Sequence, residues 1–502
     1  MSTTRRDFIR FVVAGGVAAG CPVDLSLFAA GATQTEVDGE HNEICHQIRD
    51  GRQFVHPPTS GTHDVVIVGG GVSGLTSAYL LRDKDFLLLE KEPHWGGNSY
   101  LEDYNGMPYA TGGAFVQGEA AAEFSKEIGL QQLPIENWDG TIVNGEFVAD
   151  TWGEGIDRLP YTQGVRDSFK KFRDTLLQID VTKDAAGLDT TPFSKYTDGY
   201  APEVKAWWDN YGPSNWGADS NETAAAIAIA EMQGIAGPLR KDDRTTLPGG
   251  LGAINKRLAE IMAPHKDHML LNAATVAVVP QKHAVNVTFL HDGKPQTVTT
   301  KGVIMATPKF ITARLVEAMP QQQKEAIAKI EYIPYPVVNL VYDRPVFNRG
   351  YDTWCPGNTF TDFIVADWVL RNQQGYKQKY NILTCYTPMR RDQRAFLLTD
   401  DGCRRVAVKV LRDFKKLLPE TNVDPIEVHI YRRGHPMYKS KPGNFTRVLP
   451  LARQPMERIF FANTDSEGPV STTDGGILAA RRAVKECQAL LASKRTAKAH
   501  TG

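Results

Sequence analysis

Cysteine is scarce in this chain. Six are spread over 502 residues (Cys21, Cys45, Cys355, Cys385, Cys403 and Cys487), and no pair forms C-x-x-C or C-x-x-C-H. Zinc-ribbon, thioredoxin-type and covalent haem sites are therefore unsupported, and no metal centre is expected. A disulfide is permitted in an oxidising compartment, with its pairing left open. Charge of one sign is also missing: 57 basic and 58 acidic side chains give a net charge of −1. With no basic run interleaved with aromatics, nothing suggests a nucleic-acid partner. Long apolar runs are absent too. The stretch 11–20 near the N-terminus is too short and too mildly apolar to span a bilayer, so no integral membrane segment is expected in the mature chain. No internal repeat or low-complexity tract occurs, and the length allows two or three domains with a large core.

What is present begins with an address. Thr4-Arg5-Arg6-Asp7-Phe8-Ile9-Arg10, followed by a glycine- and alanine-rich stretch, has the pattern of twin-arginine export. This route carries proteins already folded, which suits one that takes up a cofactor before reaching the periplasm. Cleavage after Ala30-Gly31-Ala32 makes residues 1–32 a signal peptide. The alternative is lipid attachment at Cys21, against which Ala18 is a poor match where a larger aliphatic is usual. Residues 33–62 are polar, contain Pro57-Pro58, and read as a lead-in segment.

The chain is organised around Asp64 to Leu75, DVVIVGGGVSGL. Its β-branched apolar start has the pattern of a strand buried on both faces. Gly69, Gly71 and Gly74 then form G-x-G-x-x-G ahead of a helix expected over 72–81. The first glycine permits the tight turn, the second lets a pyrophosphate approach the backbone, and the third lets helix and strand pack closely. Free N–H groups at the helix start face the phosphates. A second apolar strand, 86–89, ends in Glu90, where a carboxylate can accept both ribose hydroxyls. An acid there disfavours a 2′-phosphate, so the ligand should be FAD or NAD rather than NADP.

Two further Gly-Gly pairs follow, at Gly96-Gly97 and Gly112-Gly113, and suggest backbone running close to a ligand. A helix is expected over 120–128, and another over 166–179 within a segment from 131 to about 246 that otherwise reads as irregular and rich in tryptophan. Its tryptophans could line a substrate wall, although core packing is the commoner use. Pro248-Gly249-Gly250-Leu251-Gly252 opens a helix over 253–262. Strands are expected over 270–279, 284–290, 302–306, 330–342, 381–386 and 458–463, with helices over 403–418 and 474–490.

In this order the pieces resemble the flavin-containing amine oxidase superfamily, nearest in style to bacterial spermidine and nicotine dehydrogenases. The resemblance runs from Asp64 to about Leu491. It rests on VIVGGGVSGL with Glu90, GGN at Gly96-Gly97-Asn98, TGGAFV, LPGGLGAINKRLAEI, and RIFFANTDSEGPVSTTDGGILAARRAV. VIMATP and VVNLVYDRPVF add weaker support. The resemblance implies an α/β fold: a Rossmann-like FAD-binding domain from residues 63–117, 247–310 and 455–492, interleaved with an α+β substrate-binding domain from 118–246 and 311–454. FAD would be held at the pyrophosphate by Gly69, Gly71 and Gly74 with Val72 and Ser73. Glu90 and Lys91 would meet the ribose, and Val276 the adenine through its backbone. Gly97, Asn98, Gly112, Gly113 and Ala114 would lie towards the flavin. Asp465 stands where the family places an acid near the ribityl chain, the alternative being an ordinary helix cap. The helix start at Asp474-Gly475-Gly476 would point towards the flavin and stabilise negative charge on it.

Three departures from the family refine this. No lysine occupies Pro334-Tyr335-Pro336-Val337-Val338-Asn339, where its oxidases often carry one tied to fast reaction with oxygen. This implies a dehydrogenase passing electrons to a carrier such as a cytochrome or quinone. No cysteine lies in Gly434-His435-Pro436-Met437-Tyr438, so FAD should be non-covalent. Tyr438 matches one tyrosine of the family's aromatic cage, but the other position falls at about Thr472.

The expected substrate is a polyamine or another secondary or cyclic amine, losing hydride to flavin N5. The protein's part is to position a C–H bond, exclude water and keep the amine neutral. Candidate catalytic residues are His435, Tyr438, Thr472 and Asn339. His435 could instead be a structural histidine bonded to backbone. Asp362 and Asp367 could attract a cationic amine or serve as solvated or capping groups. Competing readings are a desaturase or dehydrogenase of an apolar substrate, on the carotenoid-desaturase and protoporphyrinogen-oxidase plan, and a non-catalytic FAD-binding maturation protein.

Overall fold

The computed structural model describes residues 34–116, 118–237, 240, 244–421 and 423–499. The export signal, its cleavage site and Cys21 lie outside the described residues. The apolar run at Asp64 to Val68 forms the end of the strand Thr59–Val68, which sits in the middle of a seven-stranded sheet. Parallel neighbours flank it: Phe86–Leu89 with Met269–Leu270 beyond, and on the other side Lys294–Met305, itself parallel to Ile459–Phe461. The strand expected over 302–306 is only the tail of Lys294–Met305. Its first half pairs antiparallel with Val285–His291, which pairs in turn with Ala273–Pro280. One long strand thus belongs to a parallel layer and to a meander. Helices Val72–Leu80 and Thr473–Ala499 pack over one side, where Val65, Ile67, Leu75, Ile304 and Ile477 are fully buried together.

A second sheet of eight strands runs in the order Gln34–Gly39, Glu427–Arg432, Val337–Tyr342, Asn381–Tyr386, Asp362–Val365, Asp352–Trp354, Gly140–Val143 and Glu146–Val148. Residues 34–39, read as part of a polar lead-in, supply its edge strand. The helix Asp400–Leu417 covers one face with Val406, Val410 and Phe414. The strand expected over 330–342 is broken by Pro334 and Pro336, which cannot donate ladder bonds. Tyr332–Ile333 therefore pairs with Met437–Tyr438, and only Val337–Tyr342 joins the large sheet.

The segment 131–246 is not irregular but largely helical. It holds Gln163–Leu177, Ala185–Thr190, Ser194–Thr197, Pro202–Trp216 and Ala225–Ala236. Clustered aromatics and many helix-breaking residues hid the periodicity, including Pro213 inside one helix. Four of its tryptophans are core: Trp152, Trp207, Trp208 and Trp216 are buried, with ring centroids of Trp208 5.2 Å from both Phe193 and Trp207, whereas Trp138 is half-buried under Arg240 and Arg244. No described helix is long and apolar enough to cross a membrane. The five described cysteines are all unpaired thiols. Trp208→Ala should cost about 3–5 kcal/mol through the cavity it leaves. Urea unfolding followed by far-UV circular dichroism should show the loss, and a midpoint shift under 0.5 kcal/mol would contradict this packing.

Candidate active site

The glycine turn after Thr59–Val68 is built by backbone meeting backbone. Gly69 has φ +105°, a conformation that suits glycine. A Cβ on Gly74 would stand 1.7 Å from the Gly69 carbonyl oxygen. The helix Val72–Leu80 begins at Gly71 with no side chain capping it, so the N–H groups of its first turn are open to an anion. The second turn closes on the first: a Cβ on Gly97 would meet the Gly71 Cα at 3.1 Å. Val72 is half-buried against Gly476, whose carbonyl accepts from the Ser73 hydroxyl at 3.0 Å.

Glu90 is buried at the end of Phe86–Leu89. Its carboxylate accepts N–H donors from Gly70 at 2.5 Å and Glu92 at 2.8 Å, while burial pushes its pKa up. Lys91 turns away to the His41 carbonyl and to Glu92. Val276 is the extra residue of a bulge: the ladder steps from Thr275 opposite Phe289 to Ala277 opposite Thr288. A bulged residue leaves its backbone groups out of the ladder. An uncapped helix start, a buried carboxylate and unladdered backbone, all along one end of the parallel strands, fit an adenine dinucleotide such as FAD.

At the other end, Gly113 is exposed, and its N–H donates to Ser99 Oγ at 3.2 Å. A Cβ on Gly112 would meet the Asn98 carbonyl at 2.3 Å, so no side chain can stand between these strands. The Asn98 amide donates to the Pro436 carbonyl, and Ala114 accepts from the Thr246 hydroxyl. The large sheet reaches this spot through Tyr386, whose hydroxyl donates to the Gly112 carbonyl at 2.8 Å.

The catalytic candidates fall into separate groups. His435 and Tyr438 lie with Asp465 around Tyr332: the Phe310 ring is 4.7 Å from His435 and 4.9 Å from Tyr332, and Tyr332 pairs with Tyr438. The Tyr438 hydroxyl, fully buried, donates to the Gly468 carbonyl at 3.1 Å. Thr472 Oγ1 accepts the Gly475 N–H at 3.0 Å and caps the last helix. Asp474 aims elsewhere, accepting the Ala121 N–H at 2.9 Å at the start of helix Glu119–Glu127. Asn339 is buried, its amide shared between the Ala110 carbonyl and the Thr384 hydroxyl. Asp367 is held by Arg371 at 2.8 Å and by Asn381, so it braces a loop.

Two groups escaped the sequence reading. Lys309 is fully buried, with Nζ 2.9 Å from Asp465 Oδ1, while Asp465 Oδ2 accepts the Lys309 N–H and the Tyr332 hydroxyl at 2.7 and 2.5 Å. Burial lowers the Lys309 pKa and Asp465 opposes that shift; burial also pushes the Tyr332 phenol well up. The side chain of Asp465 is thus occupied by protein partners. A lysine straight after a buried strand, in VIMATPK, was the available signal. The second is Asp352, buried on the large sheet on the strand next to Asp362; Asp362, which the sequence did offer, accepts hydroxyl donors from Thr361 at 2.6 Å and Ser214 at 2.8 Å.

A family model described as flavin containing amine oxidoreductase matches residues 72–488. Oxidoreductase PigB of Serratia sp. (strain ATCC 39006) is 24% identical over 522 residues, covering 86% of this chain and 76% of that protein. Among solved structures, putrescine oxidase bound to putrescine superposes with a TM-score of 0.66 at 17% identity, covering 85% of this chain and 99% of the other. Cyclohexylamine oxidase from Brevibacterium oxydans IH-35A gives 0.66 at 18% identity, covering 86% and 99%. At these identities the superpositions establish a shared fold.

His435 supplies a pH test. Burial, then the Arg394 charge, lowers its pKa from 6.5 to about 4 against the weaker opposing pull of Glu40. A folded-state pKa below the unfolded one means protonation opposes folding, so stability should fall as pH drops from about 6.5 towards 4. His435→Asn should remove up to about 3 kcal/mol of that slope. Urea midpoints at pH 4 to 7 check it, and parallel wild-type and variant curves would refute it.

Proposed function

The chain belongs to the flavin containing amine oxidoreductases, and from that premise we propose an exported dehydrogenase of a polyamine or another secondary or cyclic amine, with FAD held non-covalently. That it is an FAD-dependent oxidoreductase follows from the family. The observation that carries the amine reading is the meeting of the exposed Gly112-Gly113 backbone with a tyrosine- and carboxylate-bearing sheet face through the Tyr386 hydroxyl. Bound there, FAD supplies a two-electron acceptor for hydride from the carbon next to nitrogen. Gly69, Gly71, Gly74, Glu90 and Val276 would hold the dinucleotide, and the glycines at 112 and 113 would let its ring lie against backbone. Buried Tyr335 and Tyr386 exclude water beside that backbone and offer ring faces to an amine carbon chain. The iminium product needs no acid or base from the protein for hydrolysis once released into water.

Transfer of electrons to a carrier rather than oxygen is supported by the strand Val337–Tyr342 and its lead-in: Val338 and Asn339 are buried where the family's oxidases often place a lysine. The non-covalent reading is supported by the absence of cysteine from 434–438. Export to the periplasm rests on the twin-arginine pattern at 4–10. The purified yellow protein, made anaerobic and mixed with spermidine, putrescine or nicotine, should lose its flavin absorbance, then regain it faster with a quinone or cytochrome than with oxygen. Indifference to every amine would overturn the proposal.

A further inference from the structure

Asp352 and Asp362 lie on neighbouring antiparallel strands. The register sets Asp352 opposite Ile364 and Trp354 opposite Asp362, so both acids stand on one face, one diagonal step apart. Both are buried, at 2% and 3% exposure. Two carboxyl groups in such a place are costly unless something positive or donating meets them. The partners present do not suffice. Both hydroxyl donors to Asp362, from Ser214 and Thr361, fall on Oδ1. Asp352 takes a backbone N–H from Thr353, and its Oδ1 is buried with no hydrogen-bond partner. The cation whose charge reaches Asp352 is Arg244, and that guanidinium is engaged by Asp139 at 2.9 Å and by the Asn137 carbonyl at 2.5 Å. Buried polar atoms are normally satisfied, so an orphaned carboxylate oxygen beside a second carboxylate marks a place for an absent donor.

The position of the pair says which donor. Asp362 sits opposite Tyr386 in the next ladder, and the Tyr386 hydroxyl touches the Gly112 carbonyl. Across the same spot the Tyr335 hydroxyl is 2.5 Å from Ser214 Oγ, the donor to Asp362. The acids thus stand one interstrand step, about 5 Å, behind the tyrosine that meets the proposed flavin-side backbone. They are too far back to touch a reacting C–H there, but within reach of the far end of an extended substrate. We propose that Asp352 and Asp362 form a distal cation site, and that the substrate is an aliphatic diamine or polyamine: one nitrogen reacts beside Gly112-Gly113 while a second, charged nitrogen is held between the carboxylates. This rests on the amine-oxidising reading above and narrows it, since a monoamine leaves the Asp352 oxygen unpaired.

The test compares ligands differing only in the second cation. Calorimetry on the oxidised holoenzyme uses 1,4-diguanidinobutane against butylguanidine as probes not expected to reduce the flavin. Anaerobic stopped-flow reduction uses butane-1,4-diamine against butylamine. The divalent member should bind at least 10-fold more tightly in both pairs. Asp352→Asn and, separately, Asp362→Asn should collapse that ratio towards one, with circular dichroism and flavin content confirming the fold. Equal affinities in the wild-type protein overturn the proposal without needing a folded variant. Rapid bleaching by butylamine with no diamine preference leaves amine oxidation standing and removes only the distal site. Bleaching by no amine, with diguanidine selectivity retained, fails the amine reading and leaves the cation site.

Discussion

Everything at this site depends on how closely polypeptide can approach polypeptide. The Gly69 carbonyl lies only 1.7 Å from where a side chain at position 74 would place its first carbon, and one at position 97 would stand 3.1 Å from the Gly71 Cα. These approaches let the helix Val72–Leu80 begin directly against the strand Thr59–Val68, with its N-terminal amides uncapped and facing outward. Any Cβ would push the helix away, and the amides would lose the common focus that makes them an anion site. The contact is short-range and steric, so it tolerates no substitution, whereas the charge on the surrounding surface can vary freely.

From that fixed point the two sheets divide the labour. The seven-stranded sheet offers backbone, through its glycine turn and the bulge at Val276, and the bend at Gly112 adds its carbonyl. The eight-stranded sheet offers side chains, with Tyr386 reaching across and Asp352 and Asp362 standing behind it. Lys309, Asp465 and Tyr332 tie the parallel layer to the small ladder of Tyr332 with Tyr438, since Lys309 follows the strand Lys294–Met305. A buried lysine paired with one carboxylate, which itself accepts from a phenol, is strongly sensitive to the loss of either charged member, because an unpaired charge would remain inside.

Much of this was legible in the chain before any coordinates. The β-branched run ending in three spaced glycines, with an acid after the next strand, announces its own geometry because few arrangements satisfy those glycines. The match to residues 72–488 bears out the family and its fold. What stayed hidden has physical reasons. The helix expected over 166–179 is present as Gln163–Leu177, whereas those at 202–216 and 225–236 were obscured because their apolar residues pack on several sides, which blurs a single stripe. The break at Pro334 and Pro336 assigns two halves of one apolar run to different sheets, a decision set by tertiary pairing rather than local preference. Asp352 carries no local signal in the chain, since its isolation depends on Arg244 being taken by Asp139. The helix start at Asp474 was expected to point towards the flavin; the Asp474 side chain accepts an amide from another helix, a contact no local pattern announces.

The edge strand Gln34–Gly39 has a consequence for biogenesis. It is laid against Glu427–Arg432, and the Glu40 carboxylate accepts the Gly434 N–H from 394 positions further along. A ribosome adding roughly 5–20 residues per second leaves that first strand waiting on the order of 20–80 s for its mate. The sheet can therefore close only after nearly all of the polypeptide has been made. Until then the amino-terminal edge stays available to chaperones, and its closure reports that synthesis has passed the strand Glu427–Arg432.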